Sequence, residues 1–172
     1  MKKLQVAIFI SGRGSNLESL IHSSFKKQSL VEVQLVVSNN SKAKGLTIAK
    51  KNKIPFIHFI PRKNFENKVI KYLKNIDIIC LAGFMQVLDS KFVRQWRSRL
   101  INIHPSYLPA FKGLNAQDQA IKAKASYSGC SVHYVSTKID SGKIILQKKV
   151  KILKKDNTCL LYTSDAADDL LC

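Results

Sequence analysis

Four apolar runs set the frame of this chain: LQVAIFI at 4–10, VEVQLVV at 31–37, IPFIHFI at 54–60 and IDIICLA at 76–82. Each has the length of a strand and is rich in β-branched or aromatic residues. Between them lie stretches with helical spacing. Residues 15–27 place Leu17, Leu20, Ile21 and Phe25 on one face, residues 43–52 follow the second run, and 64–75 align Phe65, Val69, Tyr72 and Leu73. Strand, helix, strand with short links leaves few topologies. It implies right-handed crossovers and parallel strands, with both sheet faces covered. The expected fold class is therefore α/β, a Rossmann-like, mostly parallel twisted sheet with helices on both faces. Further on, the pattern predicts a helix over 89–96, a strand over 100–103 and an irregular, proline-bearing loop over 104–114. A helix over 115–124 and strands over 129–136 and 143–152 follow, joined by the turn KIDSGK. No internal repeat and no flexible linker interrupts the series.

A length of 172 residues suits one domain. No run approaches the roughly 18 apolar residues of a membrane span. The opening lysines and apolar run resemble a secretory signal only superficially, because the run is broken by Gln5 and leads into a glycine loop instead of a cleavage site. The four cysteines, Cys80, Cys130, Cys159 and Cys172, show neither CxxC nor metal-ligand spacing. Reduced thiols and a cytoplasmic protein are expected.

Charge raises a different possibility. The formal net charge is +18, the usual footprint of a nucleic-acid-binding module. However, 24 of the 29 basic residues are Lys, and they are dispersed, with no basic helix face. Arg is the residue suited to bidentate phosphate and base contacts. Lysine drift is therefore the favoured reading, with some attraction of small anions as a by-product. Residues 156–172 are unlike the rest: they carry four Asp and no Lys or Arg, against a net +22 through Lys155.

Three segments carry residues fit for chemistry. The first is Ser11-Gly12-Arg13-Gly14-Ser15-Asn16, between the first strand and first helix. Glycines let a ligand approach the backbone closely, Ser15 or Asn16 can cap the helix, and the helix start favours a phosphate. It is neither a dinucleotide fingerprint nor a Walker A loop. The second is Asn102-Ile103-His104-Pro105, at the carboxyl end of a strand, where ligands gather in open α/β sheets. Residues 102 and 104 point to one side of an extended segment. Asn can donate to a developing oxyanion, His can move a proton near neutral pH, and the following prolines stiffen the loop. The third is Asp140, which either caps its own turn or orients His104. His133 alternates with Val132 and Val135 and reads as a packed strand residue or one that supports the site from behind, while His22 and His58 receive no role. Gly83, in Leu81-Ala82-Gly83-Phe84-Met85, can let a flat ring lie against the backbone. No metal-ligand cluster is present, so no metal is expected.

Taken in order, SGRGSN, LAGFM, NIHPSYLPAFKGL, SVHYV and DSG resemble the phosphoribosylglycinamide formyltransferase family, folate-dependent enzymes of purine synthesis. The resemblance runs over residues 4–158. It implies that the amine of glycinamide ribonucleotide attacks the formyl carbon of 10-formyltetrahydrofolate. It assigns Gly14, Ser15 and Asn16 to the ribonucleotide phosphate, and Asn102, His104 and Asp140 to catalysis. Met85, Gln86, Val87 and Leu88, with Asn102, fall to the folate co-substrate. Partners are then these two small molecules, with no membrane and no nucleic acid. A monomer and a homodimer are both compatible with it.

The chain also departs from that pattern. Gln86 stands where the family commonly has Arg, and Asn115 where His is frequent. No folate-contacting residue is assigned in 61–68. Residues 1–158 are expected to form a formyltransferase domain lacking the helices with which the family continues, and 159–172 a tail of foreign sequence. The rivals weighed against this reading are another folate-dependent formyltransferase, a formyl hydrolase and a basic nucleic-acid-binding module.

Overall fold

In a computed structural model of the chain, residues 2–59, 64–153, 156 and 161 are described. Residues 61–63, and the tail 159–172 apart from Leu161, lie outside the described residues. The elements run β1 (Leu4–Ile10), α1 (Ser15–Ser24), β2 (Val31–Ser38), α2 (Lys44–Lys51), β3 (Phe56–His58), α3 (Phe65–Val69) with a 3-10 turn (Ile70–Tyr72), and β4 (Ile78–Leu81). Then follow α4 (Ser90–Gln95), β5 (Leu100–His104), α5 (Ala116–Lys122), β6 (Tyr127–Tyr134) and β7 (Ile144–Lys151). The strand order is β3-β2-β1-β4-β5-β6-β7, mostly parallel. Among the described residues, no helix is long and apolar enough to cross a membrane. The chain divides into two compact units, Met1–Ile101 and Asn102–Cys172.

In the first unit, β1 pairs in parallel with β2 and β4, and β2 with β3. Ala7 through Ile10 are fully buried, as strands covered on both faces require. Alternation sorts their side chains. Val6, Ile8 and Ile10 pack with Leu17 and Ile21 of α1 and with Leu46 and Ala49 of α2. Phe9 faces the other way, its ring centroid 5.6 Å from Phe65 of α3, 5.5 Å from Phe84 and 6.5 Å from Phe92 of α4. Helices thus cover both faces of β1, as the alternating pattern predicts.

Boundaries shift where local chemistry intervenes. α1 stops at Ser24: Phe25, expected on its apolar face, is 60% exposed, and Lys26 and Lys27 after it carry no apolar side chain to bury. β3 begins after Pro55, which has no N–H for the ladder; its carbonyl still accepts from Val36 N at 2.9 Å. The helix expected over 64–75 tightens into the 3-10 turn after Val69.

In the second unit, β6 and β7 form an antiparallel pair with a register shift at Val132/His133. Gly142 closes the connection: a Cβ there would strike the Tyr134 carbonyl. The proline loop is tied to itself and to β6 and β7. Ser106 Oγ donates to the Ala110 carbonyl (2.6 Å), Leu108 N to Ser131 Oγ (3.0 Å), and Gln147 Nε2 to the Leu108 carbonyl (2.8 Å). The Leu108–Pro109 bond is cis.

Candidate active site

The glycine loop enters α1 without the expected cap. The N-cap residue is Gly14, at φ 87°, and neither Ser15 nor Asn16 caps the helix with its side chain. Crowding explains the choice. A Cβ on Gly14 would lie 2.7 Å from Gly45 Cα, and Gly45 N donates to the Gly12 carbonyl at 3.1 Å. The loop is therefore pressed against the start of α2, and the cap residue offers no side chain to the first-turn N–H groups of the ten-residue α1. Gly14, Ser15 and Asn16 are all half-buried.

The segment after β4 is bonded to that loop. Ser11 N donates to the Gly83 carbonyl (3.1 Å), and Met85 N donates to Ser11 Oγ (2.7 Å). Ser11 Oγ donates in turn to Asn39 Oδ1 (2.7 Å), and Asn39 Nδ2 to Gln86 Oε1 (3.3 Å). Asn40 Nδ2 donates to the Ser11 carbonyl at 3.0 Å. Met85 and Val87 stand exposed at 55% and 75%, while Leu88 is buried at 8%. Alternate residues of this stretch thus anchor it and offer apolar surface. Sequence reading missed Asn39. It sits in SNNSKAKG, which carries the signature of a turn and nothing to mark one of its asparagines as a buried linker.

The third group lies within the second unit. Asn102 and His104, two apart on β5, converge with Asp140, whose backbone turns at φ 44°. His104 Nδ1 is 3.4 Å from Asp140 Oδ2, and Asn102 Nδ2 is 3.4 Å from Oδ1. Gly113 N donates to Oδ2 at 2.8 Å. His104 is 5% exposed and its Nε2 lies 2.9 Å from the Phe111 carbonyl. His133, expected either as a packed strand residue or as a support behind the site, is 1% exposed, and its ring has polar partners. Its Nδ1 is 2.9 Å from the Tyr134 carbonyl, so that nitrogen carries a proton; Nε2, 3.1 Å from Asn102 Nδ2, then accepts from the amide. Nε2 is also 3.5 Å from Asp140 Oδ1.

Burial alone would raise the Asp140 carboxyl. The neighbouring His133 ring, the Gly113 N–H and the His104 imidazole together outweigh it and hold the carboxyl below its ordinary value. A charged carboxylate beside a buried imidazole can orient the ring and stabilise its protonated form. Beside them, an amide can donate to a developing oxyanion. Asn115 does no side-chain capping: it precedes α5 at φ 56°. Among the described residues, no group of three His, Cys, Asp or Glu could hold a metal ion.

The chain is similar to known proteins in sequence and in fold. The family model "Formyl transferase" matches residues 4–168. The human trifunctional purine biosynthetic protein adenosine-3 is 40% identical over 168 residues, covering 93% of this chain but 16% of that protein. The chain thus spans about a sixth of that relative's length. Phosphoribosylglycinamide formyltransferase of Haemophilus influenzae is 39% identical over 165 residues, covering 91% of this chain and 76% of that protein. The crystal structure of the Anaplasma phagocytophilum phosphoribosylglycinamide formyltransferase superposes with a TM-score of 0.90 at 43% identity, covering 96% of this chain and 80% of that one. Matching over nearly its whole length in sequence and in fold, the chain belongs to the formyl transferase family.

Proposed function

We propose that the chain transfers the formyl group of 10-formyltetrahydrofolate to the amine of glycinamide ribonucleotide, a step of purine synthesis. The observation that carries this reading is the convergence of Asn102, His104 and Asp140, in a chain of this family. The amine nitrogen attacks the formyl carbon, and the carbonyl electrons move to oxygen as a tetrahedral oxyanion. Collapse breaks the bond to the folate nitrogen, giving the formylated amide and tetrahydrofolate. The amine loses a proton and the folate nitrogen regains one, so no further reactant is needed.

Each group has a role that its surroundings favour. One N–H of Asn102 is spent on His133; the other, loosely held 3.4 Å from Asp140, is the one free to meet the oxyanion. His104, backed by the Asp140 carboxylate, exchanges the Phe111 carbonyl for substrate and shuttles the proton. Gly14, Ser15 and Asn16 take the ribonucleotide phosphate at the uncapped start of α1. Met85, Gln86, Val87 and Leu88 form the folate stretch, its exposed apolar side chains suited to a flat ring system.

The test is direct. The full chain, mixed with glycinamide ribonucleotide and 10-formyltetrahydrofolate, should yield formylated ribonucleotide and tetrahydrofolate in equal amounts. Product at no more than the uncatalysed rate overturns the assignment.

A further inference from the structure

Ser11, Asn39 and Gln86 form a hydrogen-bonded line whose direction is fixed by chemistry. It starts at Met85 N–H, which can only donate. Ser11 Oγ accepts that bond at 2.7 Å, so the hydroxyl proton is left for Asn39 Oδ1, also at 2.7 Å. Asn39 thereby has its oxygen toward Ser11 and its Nδ2 toward Gln86 Oε1, at 3.3 Å. Ser11 is 8% exposed and Asn39 3%, so water offers neither an easy alternative partner. With Oε1 taken by Asn39, the Gln86 Nε2 is left to donate elsewhere, and Gln86 is half-buried between Met85 and Val87, whose side chains are exposed.

From this line we propose that Asn39 is a positioning residue that sets the polarity of the Gln86 amide, so that Gln86 presents N–H donors to an acceptor oxygen of the bound formyl donor. This rests on the folate reading of residues 85–88. The ligand chemistry it requires is a carbonyl or carboxylate oxygen, met by a neutral donor. The same line joins the glycine loop to the folate stretch, because Ser11 belongs to the first and Met85 N to the second.

The test reverses the amide. In Asn39→Asp, which keeps the shape, both side-chain oxygens accept: one from Ser11, the other from Gln86. Gln86 must then donate inward and turn its oxygen outward. The KM for 10-formyltetrahydrofolate should rise about tenfold, the loss of one net hydrogen bond, while kcat and the KM for glycinamide ribonucleotide stay within about threefold. Gln86→Met should raise the same KM about as much, and the double variant no more than either single one, since all three remove one interaction. A merely structural role would instead give additive effects or move both KM values together, and either result overturns the proposal. Gln86→Glu probes the polarity without touching the buried line, so it decides the matter if Asn39→Asp does not fold. It leaves Asn39 donating to one oxygen and faces an acceptor outward, and should bind the donor more weakly than Gln86→Met. Binding as good as wild type overturns the proposal. Formyl transfer by the wild type with these KM values unmoved sinks the relay alone; no transfer by the wild type sinks the functional reading and the relay with it.

Discussion

Asp140 is the residue on which the most charge-dependent contacts meet, with His104 and His133 on either side and the Gly113 N–H on one oxygen. Its carboxyl sits below the ordinary aspartate value. The unfolded chain therefore holds the proton more tightly than the folded one. Stability from the charge is fully present above that value and drains away as pH falls through and below it. Urea midpoints of wild type and Asp140→Asn should differ most near neutral pH and converge in acid; a constant gap from pH 7 to pH 3 would contradict the assigned charge. For activity, His104→Ala should cost kcat about a hundredfold or more, the usual scale of acid–base and oxyanion contributions. Steady-state rates near wild type would remove His104 from the chemistry. The sequence showed Asn102 and His104 because a spacing of two on a strand is visible in one dimension. It showed Asp140 as one of two readings, since nothing local tells a turn cap from a partner 36 residues away. His133 was readable as buried, but its ring partners were not, because alternation reports which way a side chain points and not what it meets.

The glycine loop is the element where local rules and packing part company. Ser15 and Asn16 are good cap residues, and by propensity alone one of them caps α1. The approach of Gly14 to Gly45 decides otherwise, since the chain must turn left-handed before either side chain can reach back. The two glycines should then respond differently to alanine. At Gly14 the added carbon meets backbone at 2.7 Å and φ is 87°, so Gly14→Ala should cost about 1–3 kcal/mol. At Gly45 it meets Ile10 Cδ1 at 2.5 Å, the end of a side chain, and alanine gains helix propensity in α2 of up to about 1 kcal/mol. Gly45→Ala should therefore be clearly the milder of the two in urea unfolding. Equal losses would mean that Ile10, fully buried, has no room to move. Elsewhere the elements themselves were legible, and their ends were not. β3 lost its first residues to Pro55, and α1 lost its last turn to exposed lysines, because an end depends on what remains to be buried.

At the scale of the whole molecule, the alternation of apolar runs was enough to fix a mostly parallel sheet with both faces covered, since it admits almost no other connection. The charge was not so readily interpreted. A net +18 is consistent with nucleic acid, with anionic metabolites and with plain lysine drift. Ionic strength separates these. Exposed charges act over about 10 Å at 0.1 M salt and over far less at higher salt, so steering of small anions shows in association rates. If the excess attracts the phosphorylated and carboxylated substrates proposed for this chain, kcat/KM should fall several-fold between about 0.05 M and 0.5 M salt. The saturated rate, which no longer depends on encounter, should change little. A flat kcat/KM would assign the lysines to composition alone. Nucleic-acid binding would instead give a dissociation constant that steepens with salt, by nearly one power for each phosphate neutralised. Filter binding to duplex DNA and to RNA should show no affinity tighter than about 10⁻⁶ M near physiological salt. Tighter, steeply salt-dependent binding would restore the nucleic-acid reading, and the dispersed, Lys-dominated charge argues against that outcome: 24 flexible point charges and five Arg make a diffuse positive field, not a surface shaped to a phosphate backbone.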